Sequence, residues 1–469
     1  MTNKEKSEIT NFGHCDFSQL VTKLNEIAEA KTHLSPKERN ALKKKRQADI
    51  DKYKTVHVDR TPELVSNCTV EPPGLFMGRG NDNAHIGRVK RRIQPEDITI
   101  NIDDAHRAMA RPPAGHRWGA IVQNKSVMWL ASWKDPISGR PKYMQLHHSS
   151  KIKNDREEEK FQVARKLKAE IRQVRAKYEK ELKSRDDEAR QRGTAVYLID
   201  NFALRAGNEK QEGATDTVGC CSLRVEHISF LPRRKDQKKE LEGIHLNFLG
   251  KDSIRYEKDI LVSRLVRDNL QDFAKAKGKK KGDLLFDLID TRRVNEYLAS
   301  LMKDLTAKVF RTFRATQHFQ EKLAEYSRLH LRNRPAEDMK MKVIVHKKAN
   351  LAVAQLLNHQ TLSKPGGKGK AVKNHEKKLK AAEVTLKSLP KSSDQYRKVE
   401  AKCDILKEEL DLKRELQTFA LGTSKTNYID PAATADWCTK YSVPVNKVYS
   451  KTQREKFKWA FLRLSLIEE

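Results

Sequence analysis

Between Leu379 and Leu410 the apolar residues fall into two runs that leave this stretch few ways to fold. Leu379, Ala382, Leu386 and Leu389 are spaced three, four, three; after Pro390-Lys391-Ser392-Ser393-Asp394, the residues Tyr396, Val399, Cys403, Leu406 and Leu410 repeat the alternation. Such spacing places one narrow apolar stripe on each helix, and a stripe of that kind needs a second helix to cover it. The proline-bearing turn supplies that helix from the same chain, so residues 363–415 are expected to form an antiparallel helical hairpin. Lysines cover its outer sides, and Lys364-Pro365-Gly366-Gly367-Lys368-Gly369-Lys370 reads as a loose entrance. The narrow seam implies a hairpin that moves relative to the rest.

The pattern elsewhere changes character several times along the 469 residues, enough chain for more than one core. The first sixty residues read as charged helices, with Leu20, Leu24 and Ile27 on one face and Ser35-Pro36-Lys37-Glu38 opening a second helix through an N-cap serine. From Glu71 to Ser150, Pro72-Pro73-Gly74, Gly78-Arg79-Gly80 and the runs Ile98 to Ile102 and Val127 to Leu130 predict an α+β region. Phe161, Ala164, Leu167, Ile171, Val174, Tyr178 and Leu182 mark a long amphipathic helix. Alternation at Leu223, Val225, His227 and again at Ile244, Leu246, Phe248 predicts strands, with Lys251 at the tip of a hairpin that returns through Ile254-Arg255-Tyr256. Residues 294–359 read as helices, and 421–469 as a compact block containing Trp437 and Trp459.

Charge narrows the choice of partner. Lysine and arginine total 95 against 63 acidic residues, a formal net charge of +32, which points to a polyanion, and nucleic acid is the commonest one in a cell. No run approaches the roughly 18 uninterrupted apolar residues of a membrane-spanning helix, and the charged start Met1-Thr2-Asn3-Lys4-Glu5-Lys6 leads into no secretory signal core. The six cysteines are scattered, and Cys220-Cys221 lacks the gap of a zinc knuckle, so they read as reduced thiols. Asp103-Asp104 with His106 is the tightest carboxylate and imidazole group and reads as a solvated loop. His147-His148 is weak as a pair because strand neighbours face opposite ways. No Walker-type glycine-lysine loop is present.

Phosphodiester chemistry without clustered carboxylates needs side-chain cations to take up the charge of the reacting phosphate. Five strings in one order supply such residues: Ala203-Leu204-Arg205-Ala206-Gly207-Asn208-Glu209-Lys210, Phe248-Leu249-Gly250-Lys251-Asp252-Ser253-Ile254-Arg255-Tyr256, Thr306-Ala307-Lys308-Val309-Phe310-Arg311-Thr312, Leu357-Asn358-His359-Gln360, and Gly422-Thr423-Ser424-Lys425-Thr426-Asn427-Tyr428-Ile429-Asp430-Pro431. Together they resemble the active-site strings of eukaryotic type IB DNA topoisomerase, over essentially the whole chain. The resemblance implies a multidomain, α-rich α+β protein: a bilobed DNA clamp with a partial cap lobe (1–150), a tyrosine-recombinase-like catalytic domain (151–362), an antiparallel helical-hairpin linker (363–415) and a small C-terminal helical domain (416–469) carrying the nucleophile.

It further implies that Tyr428 attacks a backbone phosphate to leave a 3′-phosphotyrosine, that Arg205, Arg311 and His359 contact the non-bridging oxygens, and that Lys251 is the general acid for the departing 5′-oxygen. No metal or nucleotide cofactor is expected. Arg79, Asp252 and Asn427 correspond to positions lining the cleavage site and the pocket for camptothecin-type inhibitors, and Lys90, Arg91, Lys142 and Tyr143 to cap-lobe DNA contacts. Double-stranded DNA is the expected partner, with no membrane, for a monomer. The implied location is the nucleus and nucleolus, with a mitochondrial form open. Arginine suits the phosphate because its planar fork stays charged, lysine because it can give up a proton, and His359, after the helix Ala349 to Leu357, is expected to be held as imidazolium by the negative helix end. The basic tail and first part of the cap lobe have no counterpart here, so the upper half of the clamp is expected to be incomplete. Two other readings stand beside this one: a tyrosine recombinase, against which Lys308-Val309-Phe310-Arg311 lacks the usual His-x-x-Arg, and a truncated paralogue that binds DNA without cutting it.

Overall fold

The computed structural model describes residues 16–58, 61–76, 85–207, 217–232, 240–276, 278–332, 338–361 and 366–462. The chain forms two compact units, one of Met1–Gly74 with Lys90–Ser150 and one of Leu75–Val89 with Lys151–Glu469. Arg79, among the residues proposed above, lies outside the described residues, and so does the side chain of Asp252.

In the first unit, α1 (Ser18–His33) and α2 (Pro36–Asp51) precede a short hairpin of β1 (Thr55–Val58) and β2 (Thr61–Leu64). The Ser35 N-cap forms a capping box: its hydroxyl accepts from the Glu38 amide at 3.3 Å, and its own amide donates to Glu38 Oε2 at 2.8 Å. Leu20, Leu24 and Ile27 share a face of α1 as the spacing predicts, and that face is exposed. A four-stranded sheet follows, β3 (Thr99–Asn101), β4 (Ala120–Val122), β5 (Trp129–Lys134) and β6 (Pro141–Gln145), in the order β4-β3-β5-β6. Only β3 and β4 run parallel. The expected strand at Val127 to Leu130 is displaced: it starts at Trp129 and continues to Lys134, because the inward residues are Ala131 and Trp133.

The second unit is helix-rich. Helix α3 (Lys151–Glu181) buries Phe161, Ala164, Leu167, Val174 and Tyr178, and Leu182 is buried just past its end. Helix α4 (Asp187–Phe202) runs back along it, and the buried Asp200 receives both Arg175 (2.7 and 3.1 Å) and the Tyr178 hydroxyl (2.8 Å). The expected strand at residues 223–227 is not one. Two 3-10 turns, Cys220–Ser222 and Val225–His227, occupy that stretch, and the strand β7 (Ile228–Phe230) begins only after them. Between the turns only Leu223 and Arg224 are extended, Leu223 buried and Arg224 bridged to Leu284, while the Leu223 amide closes the first turn onto the Cys220 carbonyl, too short a stretch to make a strand.

β7 pairs with β8 (Leu241–Leu249), which pairs with β9 (Arg255–Ser263) in register from Leu241↔Ser263 to Leu249↔Arg255. Helices α5 (Arg264–Lys275), α6 (Thr291–Leu301), α7 (Ala307–Leu331) and α8 (Met339–Leu356) complete the main body. Phe310 and Phe313 of α7 join one apolar cluster with β8, β9 and α4; Ala315, Phe319 and Leu323 join a second with α8 and the C-terminal block.

The hairpin forms from α9 (Gly366–Lys387) and α10 (Asp394–Glu415), with Ala382, Cys403 and Leu410 buried in its seam. The glycine-lysine run is not wholly the loose entrance expected, since α9 already begins at Gly366. Arg414 of α10 bonds Glu376 of α9 at 2.9 Å, and α10 is tied to α8 by Lys348 with Glu408 and by Gln355 with Glu415 at 3.0 Å. Four short helices follow the hairpin, α11 (Leu421–Asn427), α12 (Pro431–Lys440), α13 (Lys451–Lys456) and α14 (Lys458–Phe461); Asp430 caps α12, accepting from the Ala432 amide at 3.0 Å, with Pro431 at the first helical position. Among the described residues no helix is long and apolar enough to cross a membrane.

Candidate active site

Four of the residues singled out in sequence converge in the second unit, each delivered by the end or first turns of a helix. Arg205 follows α4, whose capping residue Ala203, just past the helix, takes the left-handed conformation (φ 51°) and turns the chain out of it. The loop then runs against residues 219–221, where the Arg205 and Ala206 carbonyls accept from the Cys220 and Cys221 amides at 2.7 Å. Here glycine is required: a Cβ on Gly219 would sit 2.3 Å from the Gly207 Cα. Arg311 lies in the second turn of α7. His359 follows α8 through Asn358, also left-handed (φ 56°), and its amide closes onto the Ala354 carbonyl at 2.8 Å. Tyr428 ends α11, which is fastened to α8 because Ser424 donates to Asn350 Oδ1 (2.8 Å) and Asn350 Nδ2 donates to the Leu421 carbonyl (3.1 Å).

Arg205 Nη1 donates to the Tyr428 hydroxyl oxygen at 3.0 Å. The Arg311 guanidinium carbon is 5.1 Å from the centre of the Tyr428 ring, and the His359 ring centroid is 5.5 Å from it. Arg311 is itself pinned, donating from Nη1 to the Ala203 carbonyl and from Nη2 to the Leu357 carbonyl (3.3 Å). Arg205, Arg311 and His359 border a cleft of about 270 Å³ lined also by Gly250, Lys251, Tyr256, Asn358 and Thr423; Tyr428 is buried and reaches it only through its contacts with these residues. Lys251 stands exposed at the turn between β8 and β9, on the 3-10 segment Lys251–Ser253, as the hairpin reading predicts.

The electrostatics follow from crowding cations in a partly dry space. Burial would raise the Tyr428 phenol, but the Arg311 and Arg205 charges outweigh it and hold the group below its ordinary value. Burial, with repulsion from Arg205, lowers Arg311 to about 10. For His359 the sequence expectation is wrong: burial first, then Arg311, Arg205 and Lys251, depress it to about 3, so the ring is neutral and not an imidazolium. The helix end is weaker than three cations and lost hydration. Among the described residues, neither ring nitrogen of His359 has a hydrogen-bond partner, and Arg311 Nε has none either, although all three atoms are buried. A buried donor left unsatisfied costs about 1–3 kcal/mol, so the two here, Arg311 Nε and the one N–H of the neutral His359 ring, suit an acceptor that arrives from outside. An anion with several oxygens fits that requirement.

The remaining candidates are placed as follows. Asn427 is exposed at the end of α11, next to Tyr428. In the first unit Lys90 and Lys142 converge on Glu71, at 3.1 and 2.9 Å, each also 4.0 Å from Asp135. Arg91 makes a forked pair with Asp97 (2.6 and 2.7 Å), which holds that carboxyl down at about 2. Tyr143 stacks on Trp129 with ring centroids 6.2 Å apart and stays well exposed. The cations expected to meet DNA there are thus already engaged by carboxylates.

Sequence reasoning missed the groups that hold the tyrosine. The Thr316 hydroxyl donates to the Tyr428 carbonyl (3.2 Å) and accepts from the Asp430 amide (3.0 Å), and Arg165 grips Asp430 through two bonds of 2.7 and 2.9 Å. Lys258 of β9 donates to the Gln355 carbonyl at 2.6 Å. Only Asp430-Pro431, a helix-start signature, was readable in advance; Thr316, Arg165 and Lys258 carry no local pattern.

Comparison with known proteins supplies family likenesses along nearly the whole chain. The eukaryotic DNA topoisomerase I catalytic core matches residues 149–393, its DNA binding fragment residues 1–146, and the C-terminal topoisomerase domain residues 400–464. DNA topoisomerase 1 of Homo sapiens is 40% identical over 484 residues, covering 98% of this chain and 61% of the human protein. That of Caenorhabditis elegans is 40% identical, covering 98% and 58%. The mitochondrial DNA topoisomerase I of Rattus norvegicus is 40% identical, covering 98% and 79%. The chain spans about three-fifths of the length of the first two relatives.

Proposed function

The chain belongs to the eukaryotic DNA topoisomerase I family, and from that premise we propose that it relaxes positively and negatively supercoiled double-stranded DNA as a type IB topoisomerase. The observation that carries the proposal is the Tyr428 hydroxyl held by Arg205, which lines a cleft together with Arg311 and His359, whose buried nitrogen atoms include some with no partner among the described residues. A phenol of ordinary pKa about 10 is a poor nucleophile at neutral pH. Here the flanking guanidinium groups stabilise the phenolate and would stabilise the extra charge of a five-coordinate phosphorus.

In the proposed reaction the Tyr428 oxygen attacks phosphorus and loses its proton to solvent. The bond from phosphorus to the 5′-oxygen breaks as Lys251 delivers a proton to that oxygen. The products are a 3′-phosphotyrosine and a free 5′-hydroxyl. Arg205, Arg311 and His359 donate to the non-bridging oxygens; His359 does so as a neutral ring through its single N–H. Religation is the same exchange reversed, so no bond energy is lost and no nucleotide is consumed. Torsion in the DNA sets the direction.

A bilobed clamp, a tyrosine-recombinase-like arrangement of the catalytic helices and a linker hairpin belong to the same proposal. DNA would be held through its phosphates, giving strong salt dependence and little sequence choice. The lysine-coated hairpin would slow the turning duplex. Nuclear DNA is the proposed substrate, as a monomer. The test is relaxation of supercoiled plasmid in chelator without ATP, beside Tyr428→Phe. Relaxation that vanishes in the variant supports the proposal; strand exchange, or retention of DNA at unchanged linking number, refutes it.

A further inference from the structure

We propose that Lys258 is a positioning residue for strand cleavage: its ammonium holds the last turn of α8 so that Arg311 and His359 keep their free nitrogen atoms turned toward the phosphate. The inference rests on the cleavage reading above and adds to it a residue outside the five strings' expected roles.

A helix ends with carbonyl oxygens that have no partner within it, and their summed dipole attracts a cation. At the end of α8 two cations divide those oxygens. Lys258 Nζ donates at 2.6 Å to the Gln355 carbonyl, which also accepts from the Asn358 amide at 3.3 Å, and reaches the Leu356 carbonyl at 3.5 Å, while Arg311 Nη2 takes the Leu357 carbonyl at 3.3 Å. Two cations this close, largely withdrawn from water, repel each other; burial and Arg311 together lower the lysine's proton affinity. What keeps them side by side is the negative helix end between them.

The division leaves Arg311 with one carbonyl from α8 and one from Ala203, and its Nε unbonded. Strand β9 also holds the other side of the histidine turn, because the Arg255 carbonyl accepts from Asn358 Nδ2 (3.0 Å) and Gln360 Nε2 (3.2 Å). One strand therefore brackets Leu357 to His359 at both ends. It begins directly after the turn that carries Lys251, and its Tyr256, two residues before Lys258 and so on the same face, lines the cleft. Without the Lys258 ammonium, the Gln355 and Leu356 oxygens would lose their cation, and Arg311 is the neighbouring donor that can replace it. Turning to them would draw its guanidinium off the phosphate and slacken the turn before His359.

Lys258→Met keeps the packed stem and removes the charge; Lys258→Arg keeps a donor. Single-turnover cleavage of a labelled duplex oligonucleotide should fall about 10- to 100-fold in Lys258→Met, the scale of an ångström-sized misplacement. Most of it should return in Lys258→Arg, with DNA retention, measured in a Tyr428→Phe background, unchanged. In a His359→Gln background, Lys258→Met should cost less than it does alone. A second readout needs no DNA: the Tyr428 phenol, followed by ultraviolet absorbance against Tyr428→Phe, should titrate at higher pH in Lys258→Met and not in Lys258→Arg. Wild-type cleavage rates in Lys258→Met, or an undiminished cost beside His359→Gln with an unmoved phenol, would overturn the inference. If the wild-type chain itself forms no adduct, the cleavage reading falls, and the phenol titration alone still decides the role of Lys258.

Discussion

The neutral, unpartnered His359 ring should make the protein lose stability in mild acid by an amount that can be worked out. Its folded-state pKa is about 3 against an ordinary 6.5, because burial and then Arg311, Arg205 and Lys251 oppose a further positive charge. The unfolded chain therefore takes up a proton as pH falls through 6.5, while the folded chain does not. Stability from this residue is complete above pH 6.5, declines below it, and stops declining near pH 3, where the folded ring protonates too. Between pH 7 and pH 5 the loss is about 2 kcal/mol by proton linkage. His359→Gln has no such titration. Urea unfolding of both proteins at pH 7, 6 and 5 should show the wild-type midpoint falling further than the variant's, by the equivalent of about 2 kcal/mol at pH 5. His346, which is buried and lowered in the same direction, is present in both proteins and cancels from the difference. Parallel decline would refute the reasoning, since it would mean the ring is solvated or already charged. A phosphate in the cleft reverses the sign of the local field, so bound DNA should restore more stability at pH 5 than at pH 7.

Other expectations follow from single contacts. Tyr428→Phe should abolish the covalent adduct on a denaturing gel while costing at most about 1.5–3 kcal/mol of stability, the worth of one charge-assisted hydrogen bond. Asp430→Ala removes both the α12 cap and the Arg165 fork, and should cost about 1–3 kcal/mol in urea unfolding and slow cleavage by shifting Tyr428. Glu71→Gln should loosen the hold on Lys90 and Lys142; DNA affinity should then rise, and the slope of log affinity against log salt should steepen by about one to two. Deleting residues 364–414 should raise the relaxation rate or lower processivity on plasmid, and unchanged kinetics would rule out a braking role for the hairpin.

What sequence could reveal depended on whether the information was local. The hairpin was readable because its seam repeats every three and four residues, and the Ser35 cap because its partner Glu38 is three residues away. The five strings were recognisable as strings, yet their charge states were not: Arg205, Arg311 and His359 were expected on one phosphate, but the burial that does most to discharge His359 is set by packing that no string shows. Residues 223–227 misled for the opposite reason, since their alternating apolar pattern is local but the chain there has a two-residue bridge between 3-10 turns and no strand. Thr316, Arg165 and Lys258 act through contacts with residues 97 to 265 positions away, and no period or motif encodes those.

Ala203 is a small residue with a disproportionate effect on how this protein can change. A left-handed alanine is strained by roughly 1 kcal/mol relative to glycine, yet its methyl group lies in the same apolar cluster as Tyr428 and is almost wholly enclosed. Ala203→Gly would ease the backbone and, at the same time, remove a methyl from the cluster that includes Tyr428 and widen the freedom of the arm leading to Arg205. Selection for heat resistance alone would accept that exchange; selection for turnover would resist it. A survey of heat-selected variants that retained activity should therefore find this alanine kept where other relaxing changes accumulate.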